Sequence, residues 1–529
     1  MTEKQNSMTE KQNSSFSEET LSIWRDTVHL PTFNPLKEDH TTDVLVVGAG
    51  ITGITAAYML AKRGVSVTLI DANKLTSGTT GYTTAKISAQ HGLIYDHLIR
   101  SLGEENAALY YQANKEGLHW IGSHIKENDL HCDFEIQPSL IYATNDQEAK
   151  AVEKEKKAYD RLGILSSLKD SAALPFKVKN ALIMPGQAQF HPLMYLHELI
   201  AELVKMNVAI FEETLAETIE ETEKERRVKT KQGFTINCRD VLICSHFPFY
   251  DHRFYFARMF AERSYLLACE TDRALPDGMY LSAGNPKRSI RGLHLNQKNY
   301  LLIGGENHKT GRGESMEHHY EQLASFAKQQ FGQTKIVAHW SAQDFTTLDQ
   351  VPYIGRIAKN SPHILVAAGF HKWGMTTGTL AAQLLTDLVL GRENPYEALF
   401  SPSRFEATPM LASFLAENLQ VAGQLIKGKL SRPAPLNEHL QNDQAVIAEL
   451  HGERVGAYRN GKGELTVVDT TCPHLGCEVN WNQGEKSWDC PCHGSRFKAN
   501  GEVIDGPAKD ALTLFFSEAG HEKRAENKE

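Results

Sequence analysis

The spacing of hydrophobic positions divides the chain into a long α/β portion and a shorter β-rich end. A four-residue apolar run, Val44–Val47, stops at a glycine turn and is followed by helical spacing, which is typical of a strand–turn–helix start. Beyond Pro433 and Pro435 the apolar runs are short and separated by glycine turns, which predicts strands. The predicted elements are strand–turn–helix–strand over 43–71, helices over 100–170, short strands over 208–245 (with a solvated hairpin at 212–227) and 278–304, strand–turn–helix over 363–390, and a helix over 410–429.

These elements suggest two domains joined by a linker. We expect a disordered extension over 1–40, an α/β domain over 41–400, a helical linker over 401–435, an all-β domain over 436–517 and a charged tail over 518–529. The extension begins with MTEKQNS written twice and has no apolar core of an export signal, so the expected location is cytoplasmic.

Composition and charge exclude several classes of protein. Of 529 residues, 41% are hydrophobic and 23% are charged, which is enough for a large core. The net charge of -9 argues against a nucleic-acid partner, and no apolar run approaches the roughly 20 residues of a membrane span. Four of the eight cysteines fall within 21 residues near the C-terminus, which in a cytoplasmic protein indicates a metal site before a disulfide framework.

The first candidate site is a dinucleotide-binding turn. Gly48, Gly50 and Gly53 have the G-x-G-x-x-G spacing, which permits a tight turn, close approach of backbone N–H groups to a pyrophosphate, and close packing of helix on strand. Asp71 ends the next strand, 18 residues after Gly53, where it can accept hydrogen bonds from ribose hydroxyls. Since the motif occurs once, FAD is favoured over a flavin plus a nicotinamide cofactor.

Two further segments carry a resemblance. Thr76-Ser-Gly-Thr-Thr80 and Val351-Pro-Tyr-Ile-Gly355, the latter followed by residues 367–376, resemble the flavin-binding segments of the superfamily of D-amino acid oxidase, glycine oxidase and sarcosine dehydrogenase. The resemblance covers about 41–400. It implies a Rossmann-like, doubly wound α/β lobe that binds FAD, interleaved with an antiparallel-sheet substrate lobe. The implied FAD contacts are Gly48, Gly50, Gly53, Asp71, Ser77, Thr79, Thr80, Gly369, Phe370, Trp373 and Gly374.

The chain departs from that superfamily at the substrate side. Amino-acid oxidases usually have an arginine shortly before the Pro-x-Ile-Gly element, where this chain has residues 340–344, and a second one where this chain has Lys372. Lysine pairs with a carboxylate as a point charge, without the bidentate fork of arginine, so a small amine is favoured over an α-amino acid. Tyr82 lies in the loop where some relatives have a flavin-attaching histidine, so we expect noncovalent FAD.

No residue is marked by its pattern as an obligatory catalytic base. His371, Lys372 and Trp340 are candidates to face the flavin, and a packing or surface role explains each of them equally well. His191 and His197 are six residues apart in a predicted helix and therefore lie on different faces, which argues against a metal site.

The second candidate site is an iron–sulfur centre. Cys472-Pro-His474 and Cys490-Pro-Cys-His493 give C-x-H, fifteen residues, then C-x-x-H. Two thiolates can hold one iron of a [2Fe–2S] cluster and two imidazoles the other. Zinc also accepts this donor set, but zinc fingers pair their two cysteines in one loop and their two histidines in another, so zinc is disfavoured.

Residues 436–517 resemble Rieske domains of the cytochrome-complex type, because both loops carry an additional cysteine. The resemblance implies Cys472, His474, Cys490 and His493 as ligands and a disulfide between Cys477 and Cys492. A reducing cytosol opposes that disulfide unless burial beside the cluster protects it. Ser495 is placed to donate a hydrogen bond to a bridging sulfide, and Phe497 stands where high-potential relatives have a tyrosine, which predicts a lower potential.

The whole chain resembles bacterial fusions of an FAD oxidoreductase with a Rieske domain. The predicted function is oxidation of a small amine or related compound at FAD, with electrons passed singly to the cluster and on to an external one-electron acceptor. An electron-transfer component of the ferredoxin-reductase kind, which takes electrons from an external donor, and a non-enzymatic redox sensor remain alternatives. A Rieske oxygenase is not supported, because no D-x-x-H-x₄–₅-H string for a mononuclear iron occurs.

Overall fold

A computed structural model of the chain describes residues 16, 20–251, 254–312, 315–407, 433, 435, 436 and 440–518. The predicted helix over 410–429 and nearly all of the predicted tail lie outside these residues. We call residues 20–407 the main body and residues 440–518 the C-terminal domain. Among the described residues, no helix combines the length and apolar character that crossing a bilayer requires.

A six-stranded, mostly parallel sheet forms the centre of the main body. Its strands are buried on both faces: Val44 and Val46 pack into the helical side, whereas Leu45 and Val47 pack into the opposite side. Helices cover the first side, as predicted, while a small sheet instead of helices covers the second. In spatial order the strands are Tyr353–Ala358, Ser361–Ala368, Asp240–Ile243, Val44–Val47, Val67–Ile70 and Ala209–Phe211.

The small covering sheet has four strands and includes the predicted hairpin. Its polar residues alternate with Ile219, Val228 and Ile236, which pack against the central sheet. In spatial order its strands are His40–Thr41, Thr235–Cys238, Arg226–Thr230 and Ala216–Glu221.

A nine-stranded, mostly antiparallel sheet forms the second half of the main body. Its strand Glu135–Ala143 corrects the prediction of helices throughout 100–170, because two neighbouring strands pair with this segment and bury its apolar end. In spatial order the strands are Lys335–Thr347, Met259–Glu270, Lys298–Lys309, Arg288–Leu295, Met279–Ser282, Glu135–Ala143, Asn180–Gln189 and Lys86–Ile87, with Ser167–Lys169 beside Asn180–Gln189.

The helices follow the predicted amphipathic segments where these are described. Helix Ile51–Ala61 is buried along most of its length, packed between the central sheet and helix Gly374–Val389. The α-helices are Ile23–Thr27, Ile51–Ala61, Tyr95–Leu102, Glu104–Glu127, Asp146–Arg161, Pro192–Lys205, Met316–Phe331, Gly374–Val389 and Glu397–Phe400, and the 3₁₀ turns are Thr79–Tyr82, Tyr255–Ala257 and Pro402–Ala407.

The predicted disorder over 1–40 is wrong for residues 20–40. Trp24 is fully buried in the short helix Ile23–Thr27, and its indole Nε1–H donates to the carbonyl of Thr83 at 2.7 Å. Ser22 caps this helix by accepting a hydrogen bond from the backbone N–H of Arg25. Ile23 and Leu36 are buried as well, so burial of apolar side chains holds this segment against the main body.

The C-terminal domain is all-β, as predicted. Its two antiparallel sheets enclose a small core around Trp488, which is fully buried beside Cys472 and Cys490. The strands of the first sheet are Gln444–Leu450, Glu453–Arg459, Leu465–Asp469 and Leu514–Ser517, and those of the second are Asn480–Asn482, Ser487–Asp489, Arg496–Lys498 and Val503–Asp505.

Candidate functional site

The glycine turn after the first central strand has the geometry of a dinucleotide-binding turn. Gly48 has φ +104°, and a Cβ there would lie 2.5 Å from the carbonyl oxygen of Cys244. A Cβ on Gly53 would lie 1.9 Å from the carbonyl oxygen of Gly48. Helix Ile51–Ala61 starts directly behind Gly50 without an acidic residue in its first turn, so its N-terminus can receive a phosphate group.

Asp71 is held at the end of the second central strand beside this turn. Its carboxylate accepts hydrogen bonds from the backbone N–H groups of Ala49, at 2.7 Å, and Asn73, at 2.8 Å. Burial raises the pKa of Asp71 to about 6, although these two N–H groups favour the ionised form. The carboxylate therefore remains available for ribose hydroxyls at neutral pH.

The predicted flavin-side loop folds back onto the helix start. The backbone N–H of Ile51 donates to the hydroxyl of Thr80 at 3.1 Å, and the hydroxyl of Thr79 donates to the carbonyl of Gln343 at 2.8 Å. This loop therefore joins the dinucleotide turn to the edge of the nine-stranded sheet.

The second predicted flavin segment reaches the same place from the other end of the main body. Strand Ser361–Ala368 ends at Gly369, whose φ is +79° and whose Cβ would meet the side chain of Thr347 at 2.6 Å. His371 and Lys372 follow with φ of +46° and +66°, an uncommon conformation for residues with side chains. Backbone strain of this kind is most common at functional sites, where the surrounding structure holds the strained residues in place.

These segments border one cavity of about 1370 Å³. That volume exceeds the range of about 300–1,000 Å³ common for sites of one small ligand, so it accommodates a dinucleotide together with a substrate. Gly53 and Gly369 lie behind its wall, where they allow close packing. The predicted FAD contacts on the wall are Gly48, Gly50, Asp71, Ser77, Thr79, Thr80, Phe370, Trp373 and Gly374.

Two of the three candidate catalytic residues reach the cavity. His371 and Lys372 border it, and burial, with Lys372 nearby, lowers the pKa of His371 to about 4. Lys372 Nζ lies 3.7 Å from Asp344 and 3.9 Å from Glu262. The structure does not bring Trp340 to the cavity: its indole is fully buried behind the wall and donates to the carbonyl of Tyr82.

Sequence reasoning missed Lys86 and His91, which also border the cavity. Lys86 is buried in the two-residue strand Lys86–Ile87 and donates to the carbonyl of Tyr280 at 2.8 Å. Burial, with Arg291 nearby, lowers the pKa of Lys86 to about 7. His91 stacks on Trp373 with ring centroids 4.6 Å apart. A lone lysine between apolar residues was the available signal for Lys86, and nothing local marked His91.

His191 and His197, which the sequence analysis assigns to no metal site, have separate surroundings. His191 is fully buried, caps helix Pro192–Lys205 by accepting from the N–H of Met194, and lies 3.0 Å from the hydroxyl of Thr27. His197 is half-exposed on that helix beside Glu198.

The four predicted cluster ligands converge between two loops, 472–477 and 490–495, which we call the cluster loops. The thiols of Cys472 and Cys490 are hydrogen-bonding neighbours, and the rings of His474 and His493 lie 5.2 Å apart and perpendicular. Each loop is closed by backbone bonds, such as that from the N–H of Gly494 to the carbonyl of Cys490. A pair of neighbouring thiols and a pair of neighbouring imidazoles, carried by the same two loops, fit the donor set of a mixed-ligand [2Fe–2S] cluster.

A disulfide joins the cluster loops, as the resemblance implied. It connects Cys477 to Cys492, with Cα atoms 6.5 Å apart. The sulfur atoms of Cys477, Cys490 and Cys492 lie within 4.8 Å of one another, but two of these are consumed by the disulfide. Of these three sulfurs, that of Cys490 is left as a metal ligand, which agrees with the predicted ligand set.

Ser495 is the last residue of the second cluster loop, and Phe497 follows two residues later in the core that contains Cys472 and Cys490. The hydroxyl of Ser495 is fully buried, interacts with the thiol of Cys472 and accepts a hydrogen bond from the backbone N–H of Ala508 at 3.1 Å. Phe497 is fully buried and presents no hydroxyl.

The side of the cluster loops that carries the two histidines packs against the main body. The ring of Phe256 lies edge-on to His474 and His493, with centroid distances of 4.9 Å and 5.0 Å. The guanidinium of Arg312 donates to the carbonyl of Pro491. The cluster loops are therefore packed against the body of the chain that contains the dinucleotide turn.

Comparison with protein families agrees with both sites. Residues 43–388 match the family model described as DAO, FAD dependent oxidoreductase, and residues 433–516 match that of the Rieske [2Fe-2S] domain. Since these folds use FAD and a [2Fe–2S] cluster, and the residues described above fit both groups, FAD and the cluster are the cofactors of this chain.

Individual proteins show the same division. The chain is 45% identical over 488 residues to YhfW of Bacillus subtilis (strain 168), named as a Rieske 2Fe-2S iron-sulfur protein, covering 92% of this chain and 96% of that one. Its C-terminal part is 34% identical over 113 residues to a cytochrome b6-f complex iron-sulfur subunit of Synechococcus sp. (strain JA-3-3Ab), covering 20% of this chain and 66% of the subunit.

The main body has a known fold. The structure of glycine oxidase from Geobacillus kaustophilus matches with a TM-score of 0.58 and 20% identity, covering 68% of this chain and 98% of that one, which shows the fold alone. The chain belongs to the DAO family of FAD-dependent oxidoreductases and carries a Rieske [2Fe-2S] domain at its C-terminal end.

Proposed function

We propose that this oxidoreductase is a dehydrogenase that oxidises a small amine or related C–N compound in the main body and releases electrons singly through the Rieske domain. The observation that supports this most directly is the contact of Phe256 with both predicted cluster histidines, through which the Rieske domain packs against the flavin-binding body. An enzyme that reoxidises its flavin with a freely diffusing two-electron acceptor has no need of this arrangement.

The proposed reaction is a two-electron oxidation of a C–N bond. The substrate loses two electrons and two protons from its C–N unit, and the resulting imine is hydrolysed by water to a carbonyl compound and an amine. FAD accepts the two electrons when bound. A [2Fe–2S] cluster carries one electron at a time, so each turnover requires two transfers to an external one-electron acceptor.

The chain's own residues bind the cofactor and condition the substrate amine. The helix N-terminus at Gly50 and the carboxylate of Asp71 hold the dinucleotide. An amine must be unprotonated before it gives up a hydride, and Lys86 on the cavity wall has a pKa of about 7, close to neutral pH, which suits a proton acceptor. His371 is uncharged at neutral pH and adds no positive charge beside Lys372.

The cavity favours a substrate without a strongly held carboxylate. No arginine stands at residues 340–344, and Lys372 is already within ion-pairing distance of Glu262 and Asp344. Arg263 borders the cavity but is ion-paired with Glu485 of the Rieske domain. These contacts leave little free positive charge at that place for a substrate carboxylate.

Anaerobic mixing of the pure protein with a panel of primary, secondary and N-methyl amines tests the proposal. We expect one class to bleach the flavin absorbance, followed by the EPR signal of a reduced mixed-ligand cluster, with two equivalents of a one-electron acceptor consumed for each amine. If no amine bleaches the flavin but a reduced external carrier does, the chain is an electron-transfer component. If no turnover occurs and the oxidation state of the cluster changes only the binding of a partner, the chain is a redox sensor.

A further inference from the structure

The large cavity of the main body is closed partly by the Rieske domain. Residues 503–509, which we call the covering loop, line the same cavity as Gly50 and Asp71. A protein with this fold but without a Rieske domain lacks this part of the cavity wall. The candidate FAD site therefore has a wall that comes from another domain of the chain.

Asp505 anchors the covering loop to the main body. Its carboxylate accepts a hydrogen bond from the side-chain amide of Gln343 at 2.9 Å and lies 3.7 Å from Nδ1 of His246. Gln343 is buried, and the second hydrogen of its amide is donated to the carbonyl of Gly494 in a cluster loop at 3.0 Å.

The same glutamine is connected to the flavin-side loop. Its backbone carbonyl accepts the hydroxyl of Thr79, and its side-chain oxygen accepts the hydroxyl of Thr310 at 2.7 Å. Thr79 borders the cavity beside the dinucleotide turn. One residue of the main body thus links the FAD-facing loop to the Rieske domain.

The covering loop is rigidly attached to the cluster loops on its other side. A Cβ on Gly506 would lie 2.6 Å from the Cα of Ser495, and Ser495 accepts the N–H of Ala508. Movement of the covering loop therefore requires movement of the Rieske domain around it.

We propose that the covering loop is part of the FAD-binding site, so that FAD binding and docking of the Rieske domain stabilise each other. The coupling is reciprocal: a change that weakens docking speeds FAD release, and removal of FAD loosens the covering loop. Typical coupling free energies correspond to about 5- to 150-fold in affinity. The inference does not depend on the substrate or on turnover.

The effect of docking on FAD binding is tested by the rate at which FAD dissociates from the full-length protein. Release is followed by the rise in flavin fluorescence. Gly311→Ala is the docking variant, because a Cβ there would lie 2.7 Å from the backbone nitrogen of Pro491 in a cluster loop, at φ +70°. Gly163→Ala is its matched control, with φ +65° and open space around the Cβ. We expect release at least about fivefold faster in Gly311→Ala and unchanged in Gly163→Ala.

Asp505→Asn is a second variant, which leaves the backbone intact. If Gly311→Ala loses its cluster, the rate of FAD release from Asp505→Asn is the test of the coupling. Its control is Asp510→Asn, an exposed neighbour outside the cavity wall. Faster release in Asp505→Asn alone supports the inference. Release at the parental rate in both Asp505→Asn and Gly311→Ala, with cluster absorbance retained, overturns it.

Hydrogen exchange of the FAD-free and FAD-loaded protein tests the reciprocal half. We expect FAD to slow amide exchange in residues 503–509 and to leave strand Gln444–Leu450, in the other Rieske sheet, unchanged. Equal exchange of the covering loop with and without FAD contradicts the coupling.

Discussion

The two cofactor sites are built in opposite ways. All four predicted cluster ligands and the disulfide between Cys477 and Cys492 lie within residues 472–493, in two short loops closed by their own backbone hydrogen bonds. The wall of the FAD cavity is assembled from segments between Arg25 and Ala511. A compact site can be lost by one substitution, whereas a distributed site is weakened by degrees.

Replacement of a cluster ligand gives the largest expected effect. We expect Cys490→Ala to abolish the EPR signal of the reduced cluster, because a three-ligand site cannot hold both irons, while the protein still binds FAD at saturating concentration. Cys238→Ala, another buried cysteine, serves as control and keeps the signal. Retention of a full signal in Cys490→Ala shows that the ligand set is different.

Substitution at the dinucleotide turn gives the next largest expected effect. A methyl group at position 53 would meet the carbonyl of Gly48, so Gly53→Ala must displace the turn. Overpacking costs about 1–3 kcal/mol, and we therefore expect the affinity for FAD to fall about 5- to 150-fold. Equilibrium titration with FAD measures this. Gly64→Ala, with open space around its Cβ, is expected to bind FAD normally, and equal binding by both variants counts against the assigned turn.

The pH dependence of FAD binding gives an intermediate effect. The pKa of Asp71 is about 6 before FAD binds, and the ionised form accepts the ribose hydroxyls, so affinity is full above this pH and falls as pH drops through it, by up to about tenfold per unit. Titrations between pH 5 and 8 measure the profile. We expect Asp71→Asn to bind weakly with a flat profile; a flat parental profile assigns the ribose contact elsewhere.

The smallest effect concerns the cluster potential. Phe497→Tyr adds a hydroxyl beside the cluster loops, which can donate a hydrogen bond to the cluster. If this bond stabilises the reduced cluster by about 1 kcal/mol more than the oxidised one, the midpoint potential rises by about 40 mV. Redox titration followed by EPR measures it, with the exposed Phe516→Tyr as control. We expect the parental midpoint to lie below that of respiratory Rieske centres, and a value at or above theirs contradicts the role given to Phe497.

The motifs that sequence reasoning found are those whose parts are close in the chain. The turn at Gly48 and Gly53, the end of the strand at Asp71, and the two cluster loops each depend on local backbone geometry, which spacing reveals. Local sequence does not predict the ordered segment around Trp24, because its stability comes from burial against distant residues. Local spacing also predicts a helix where strand Glu135–Ala143 forms, because the strands that pair with it are remote in sequence.

The amino-acid order alone determined which cofactors this chain binds, because phosphate turns and metal loops are made of residues that are close together in the chain. Only the tertiary structure decided that Lys86 and His91 reach the cavity, that Trp340 does not, and that Phe256 and Gln343 join the two domains. The physical reason is that such contacts depend on how separate sheets pack, and no local pattern records the packing of residues more than a hundred positions apart.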